Sequence, residues 1–204
     1  MVSGILSGQI LILIIMLFNM CRIVYLTVNR RDRAAKVFSA ALANALRQRR
    51  IEVVEDYSFD WLNFWKRHKT YGIAIAFDFY TDDKRGSGLT LNKNCSAISR
   101  DFAYELCNDI DRTMPTIIWR DFEFVKSDEP RWFRFFNKVS ANTKAIFHLC
   151  NKRIEQDYEI YNIHFEQLIS VFTDEIIRCL RSSYNPREYR KRVKAVKLRI
   201  NNGQ

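Results

Sequence analysis

The chain begins with a long apolar stretch. No residue from Ile5 to Cys21 is charged, and apolar character resumes at Ile23–Val28 after Arg22. As a helix rising ~1.5 Å per residue, Ile5–Val28 would reach ~36 Å, enough for a ~30 Å hydrocarbon layer with some tilt. Arg22 can snorkel to the interface, where Tyr25 is also at home. A buried core helix is the alternative, because Gln9 and Asn19 leave Ile10–Phe18 as the only unbroken apolar run. A cleaved signal is not expected, since no Lys or Arg precedes the run and the charged Asn29-Arg-Arg-Asp-Arg33 follows it.

Further along, the spacing predicts helices. Residues 33–47 are alanine-rich, with apolar positions at 34, 38, 41, 42, 45 and 46. An aromatic cluster follows (Tyr57, Phe59, Trp61, Phe64, Trp65). Residues 71–80 are ambiguous: Tyr71, Ile73, Ile75, Phe77 and Phe79 alternate as in a strand, while Leu62, Trp65, Gly72, Ile75, Ala76 and Phe79 trace a helical face. Helix is preferred, since no second strand with a hairpin signal follows. Residues 81–95 read as a loop and 96–112 as an amphipathic helix ended by Pro115. Two long helices, one after Ser127-Asp-Glu-Pro130 and one over 158–182, complete an antiparallel pair.

The last element has a cap. Asn185-Pro-Arg-Glu188 supplies an N-cap, a proline at the first helical position and an acid for a capping box. Tyr189, Val193, Val196 and Ile200 then form one stripe among basic residues, a basic amphipathic helix that either returns to a membrane surface or packs on the body. The expected fold class is therefore all-α: one N-terminal transmembrane helix (1–28) continuing into a helical bundle (29–184), with the basic helix and tail at 185–204.

Charge gives the anchor an orientation. The net charge is +10, of which Arg22–Arg50 and Arg181–Gln204 carry +7 each, leaving −4 for the rest. The arginines after the apolar run place the N-terminus outside and the body in the cytoplasm, with a bacterial inner membrane favoured. Five widely spaced cysteines without CxxC pairs suit a reducing compartment. The expected partner is an anionic inner leaflet, contacted through Arg30, Arg31, Arg33, Arg190, Lys191, Arg192, Lys194 and Lys197. Gly4 and Gly8 have GxxxG spacing and share a helical face with Asn19, a surface for self-association and hence for a homo-oligomer or another protein partner.

Chemistry is poorly signalled. There is no phosphate-binding glycine motif and no GxSxG elbow, and Arg85-Gly-Ser-Gly88 is too short to cradle a phosphate. His68, His148 and His164 lack metal spacing, although His148 and His164 would face each other across the helical pair beside Cys150. Asp121, Glu123 and Lys126 form a loose acid–acid–lysine group, and Asp109, Asp111 and Arg112 read as a solvated helix end. No catalytic, cofactor or metal residue is assigned, no cofactor is expected, and enzymatic activity is disfavoured. The function expected is a single-pass membrane-anchored cytoplasmic helical module acting through protein and lipid contacts. The alternatives are a membrane-bound toxic or defence effector and a membrane-proximal nucleic-acid-binding protein, the latter with aromatic stacking by Tyr57–Trp65 beside Lys66, Arg67 and Lys69.

Overall fold

A computed structural model describes residues 23–28, 31–57, 71–125 and 133–181. It shows a mixed α/β fold and overturns the all-α expectation. Among the described residues six strands, β1 (Ile23–Val28), β2 (Glu52–Asp56), β3 (Tyr71–Tyr80), β4 (Ser87–Asn92), β5 (Trp119–Val125) and β6 (Ala141–Asn151), form one sheet. Their spatial order is β2-β1-β3-β6-β4-β5. The first four in that order run parallel, β4 runs antiparallel to β6, and β5 runs parallel to β4. The helices are α1 (Arg33–Gln48), α2 (Ala97–Thr113), α3 (Phe133–Lys138), α4 (Glu155–Ile163) and α5 (Phe165–Arg181).

Three apolar runs expected as helices are strands of this sheet. Ile23–Val28, read as the end of a membrane span, is β1, hydrogen-bonded on one side to β2 and on the other to β3. All ten residues of β3 are buried, as are the last seven of β6. A parallel strand covered on both faces has no polar side to show, so its sequence resembles a core or membrane helix more than an alternating strand. Its neighbours are also distant in sequence, so no hairpin signal accompanies it. Residues 81–95, expected as a loop, contain β4. Among the described residues no helix is long and apolar enough to cross a membrane. Residues 1–22, with the self-association face Gly4, Gly8 and Asn19, lie outside the described residues. So does the terminal helix with Arg190, Lys191, Arg192, Lys194 and Lys197.

Two amphipathic helices form where the spacing placed them. In α1, Phe38, Leu42 and Leu46 recur every four residues and are fully buried. Asp32 caps it, its Oδ1 accepting from the Ala35 amide at 3.1 Å. The helix ends in a Schellman turn: Arg50 N–H donates to Arg47 C=O and Ile51 N–H to Leu46 C=O, with Arg50 at φ +61°. Arg47, Arg49 and Arg50 thus gather at the negative end of the helix dipole, and Arg47 also pairs with Glu55 at 2.6 Å. Three of the eight basic residues between Arg22 and Arg50 are therefore helix-end charge. Helix α2 begins at a Ser96 cap and ends just before Pro115.

The sheet separates two cores. Helices α1, α2, α4 and α5 cover one face, meeting Leu26, Ile75, Phe77 and Phe147. Phe172 of α5 is fully buried, with its ring 5.6, 5.4 and 4.8 Å from those of Phe38, Phe77 and Phe147. On the other face a smaller cluster joins Tyr25, Ala74, Ala76 and Ile146 to Phe135 and Phe136 of α3. Lys144 crosses to this side and donates to the Phe136 and Val139 carbonyls.

Two stability predictions follow from this packing. Phe172→Ala should cost ~3–5 kcal/mol by opening a cavity among three rings, measured by urea unfolding. The second concerns Glu175, buried between α5 and α2. Burial raises its pKa, a hydrogen bond and an ion-pair contact from Arg178 oppose the rise, and nearby Asp109 adds to it, leaving it at about 7 against an ordinary 4.5. The folded state therefore holds this proton more tightly than the unfolded chain does. The contribution to stability is greatest below pH 4.5 and falls as pH rises toward 7. Glu175→Gln should flatten that part of the profile of melting temperature against pH.

Candidate functional site

In open α/β sheets ligands bind at the carboxyl ends of the parallel strands, near the point where strand order reverses. Here those ends belong to β2, β1, β3 and β6, with the reversal between β1 and β3. The sequence near the last three is apolar except at a few positions, Thr27, Asp78 and His148 among them, and these are the informative residues.

Asp78 and His148 are register partners on β3 and β6. Both project to the face that carries Ala76 and Ile146, because side chains two apart on a strand share a face. The Asp78 Oδ2 lies 4.0 Å from His148 Nδ1. On the other side of the imidazole, Nε2 is 3.2 Å from the Thr90 hydroxyl on β4. Asp78, His148 and Thr90 are 8%, 2% and 1% exposed. The carboxylate, the imidazole and the hydroxyl come from three adjacent strands. At 4.0 Å the carboxylate is an ion-pair neighbour of the imidazole and not a hydrogen-bond partner; with a hydroxyl on the second nitrogen, the three groups stand in the order of an acid–base relay.

A second layer surrounds this one. The Tyr80 ring stacks on the His148 imidazole, centroids 4.3 Å apart and planes 17° from parallel. The Arg120 guanidinium lies 4.1 Å from the centre of the Tyr80 ring. Both terminal nitrogens of Arg120 reach the two carboxylate oxygens of Asp82, holding that carboxyl down at about 2. Asn151, fully buried, donates to the Asp82 and Lys84 carbonyls at 2.8 and 2.7 Å, tying the end of β6 to the 81–86 loop. Two more ion pairs close the edge: Lys152 with Asp32 at 2.7 Å, and Arg85 with the buried Asp157 at 2.8 Å. Asp157 also accepts from the amide of Gly86, whose φ of +111° suits glycine alone.

Thiol chemistry is not favoured at this edge. Burial, with Asp157 and Asp32 nearby, pushes Cys150 up to about 12, and burial raises Cys107 and Cys179 as well. Among the described residues no three His, Cys, Asp or Glu side chains gather where they could hold a metal ion.

Those of the residues singled out in the sequence that are described do not assemble into one site. Arg31 and Arg33 are exposed at the start of α1, and Arg30 lies outside the described residues. His148 and His164 do not face each other across a helical pair: His148 is in a strand, while His164 follows α4 and bonds Thr116 and Gln167. Glu123 is exposed on β5, and Lys126 lies outside the described residues. Asp109 pairs with Arg112 at 2.8 Å, as expected of a helix end. Tyr57 bonds Glu55, and the remaining aromatic residues of its cluster lie outside the described residues. What sequence reasoning missed was Asp78, and with it the true neighbours of His148, which it had set opposite His164. The signal at both positions was an ionisable residue set within an apolar run, Ala-Phe-Asp-Phe and Ile-Phe-His-Leu.

The chain matches no family model and no curated protein sequence. Its fold is similar to solved catalytic domains. The N-acetylmuramoyl-L-alanine amidase AmiC2 of Nostoc punctiforme superposes with a TM-score of 0.58 at 11% identity, over 79% of this chain and 98% of that one. The catalytic domain of the CD27L endolysin, which targets Clostridia Difficile, gives 0.56 at 13% identity, over 80% and 99%. The amidase from Clostridium difficile 630 gives 0.55 at 11%, over 79% and 98%. These likenesses correct the function expected from the sequence. A membrane-anchored helical module, its anionic-leaflet and self-association partners, and a single-pass localisation through residue 28 all presuppose a helical bundle, whereas the chain has the fold of amidase catalytic domains.

Proposed function

We propose that this chain is a hydrolase of amide bonds in a peptidoglycan-type polymer, with His148 as general base and Asp78 as the carboxylate that orients it. The observation that carries this is the alignment of Asp78, His148 and Thr90 across three strands at the carboxyl edge. Likeness to amidase catalytic domains supports the substrate class: an amide of the kind that joins N-acetylmuramoyl to L-alanine.

In this scheme Asp78 stabilises the imidazolium that forms when His148 accepts a proton at Nε2. The hydroxyl already on Nε2 is that of Thr90, so Thr90 is the first group to test as nucleophile. Its oxygen would bond to the carbonyl carbon as the C–N bond breaks, and His148 would return the proton to the leaving amine. Water would then hydrolyse the ester. Thr90→Val separates this route from one in which His148 activates water directly, since only the first needs the hydroxyl.

A second reading is a binding module of amidase fold without hydrolysis. It is favoured by the burial of His148 and Thr90.

The test is release of free amino groups from purified peptidoglycan. His148→Gln and Asp78→Asn should each lower the rate by ~10²–10⁴-fold, the usual weight of a general base and its support. Sedimentation of the protein with peptidoglycan but no amine release would establish the second reading. Neither binding nor release would remove both.

A further inference from the structure

We propose that Tyr80 is the positioning residue of His148, clamped between a glycine notch on one strand and an arginine on the next. The inference rests on the proposed role of His148 as base.

The stack is assembled by features unrelated to ordinary core packing. Strand register slips between Asp78 and Tyr80: Asp78 pairs with His148, but Tyr80 pairs with Asn151, one residue further than regular pairing allows. Such irregularities re-aim a side chain, and here the tyrosine ring lies flat over the imidazole. To do so it reaches across β6 to β4, where Gly88 leaves room. A Cβ at position 88 would overlap the Tyr80 hydroxyl and crowd its ring. Arg120 packs a guanidinium plane against the same ring and is itself fixed by the two oxygens of Asp82.

The consequence for His148 is rotational. An imidazole with Nε2 on a hydroxyl and Nδ1 near a carboxylate can still flip by 180°, exchanging Nδ1 with Cδ2 and Nε2 with Cε1. With one ring face covered by Tyr80, and Tyr80 held by Gly88 and Arg120, the orientation with Nδ1 toward Asp78 and Nε2 toward Thr90 is retained. That is the orientation a general base on Nε2 requires.

The test reads His148 directly by NMR in the full chain. There are three histidines, and His148→Gln assigns its resonances by their loss. In the wild type, the His148 ring protons should be shifted upfield by the stacked tyrosine, with a single set of ring ¹⁵N signals. Tyr80→Phe should keep both features. Tyr80→Leu should lose the upfield shift and give two sets of ring nitrogens. Gly88→Ala, which leaves Tyr80 in the chain but displaces its ring, should do the same. Amine release should follow: about tenfold lower kcat with unchanged KM in Tyr80→Leu, and recovery in Tyr80→Phe. Unaltered His148 signals in both Tyr80→Leu and Gly88→Ala would overturn the proposal. Altered signals in a protein that never releases amines would uphold the positioning of His148 and refute the hydrolytic reading instead.

Discussion

Pairing of β3 with β6 is the interaction on which the rest of the molecule depends. The two strands run parallel through the middle of the sheet in regular register from Ile73 with Thr143 to Asp78 with His148. A slip of one residue would turn every side chain of one strand to the opposite face. In the observed register, Phe77 and Phe147 enter the core under α1 and α5, while Asp78 and His148 meet on the other face. The same hydrogen bonds therefore decide both the stability of the large core and the meeting of Asp78 with His148. The step in register one residue later then lays Tyr80 over His148.

Charge is organised around this sheet rather than around a membrane. The basic residues after β1 divide into those at the start of α1 and those at its carboxyl end, where Arg47 pairs with Glu55 and the others lie near the helix's last carbonyls. At the carboxyl edge of the sheet, three ion pairs (Asp32–Lys152, Asp82–Arg120 and Asp157–Arg85) tie each loop to an element distant in sequence. Asp32 does this while capping α1, so one carboxylate orders both the helix start and the exit from β6. Partly buried pairs of this kind contribute to geometry more than to net stability, and geometry is what a site on loop ends requires.

The amphipathic surface helices were legible in the sequence. For α1 and α2, a stripe at i, i+4 and i+8 with a polar opposite face has one reading, because one side must meet the core and the other water. The stop before Pro115 was read from the sequence too, whereas the caps Asp32 and Ser96, each also bonded to a distant residue, were not. Strands β1, β3 and β6 were not legible as strands. Burial on both faces erases the polar–apolar alternation by which a strand is recognised, and parallel partners are joined by long crossovers that leave no turn signal between them.

The same reason hid the site. Asp78 and His148 are seventy positions apart, and Thr90 and Arg120 lie in two further segments. No spacing rule links them, and each taken singly is a polar residue in an apolar run. Local sequence determined the apolar stripes of α1 and α2, where charge collects, and that Asp78 and His148 lie in apolar surroundings. Only the tertiary structure decided that those runs are adjacent parallel strands, that the two residues share a face, and that Thr90, Tyr80 and Arg120 close around them. Side-chain direction in a sheet is set by pairing register, which is a property of two segments together and of neither alone.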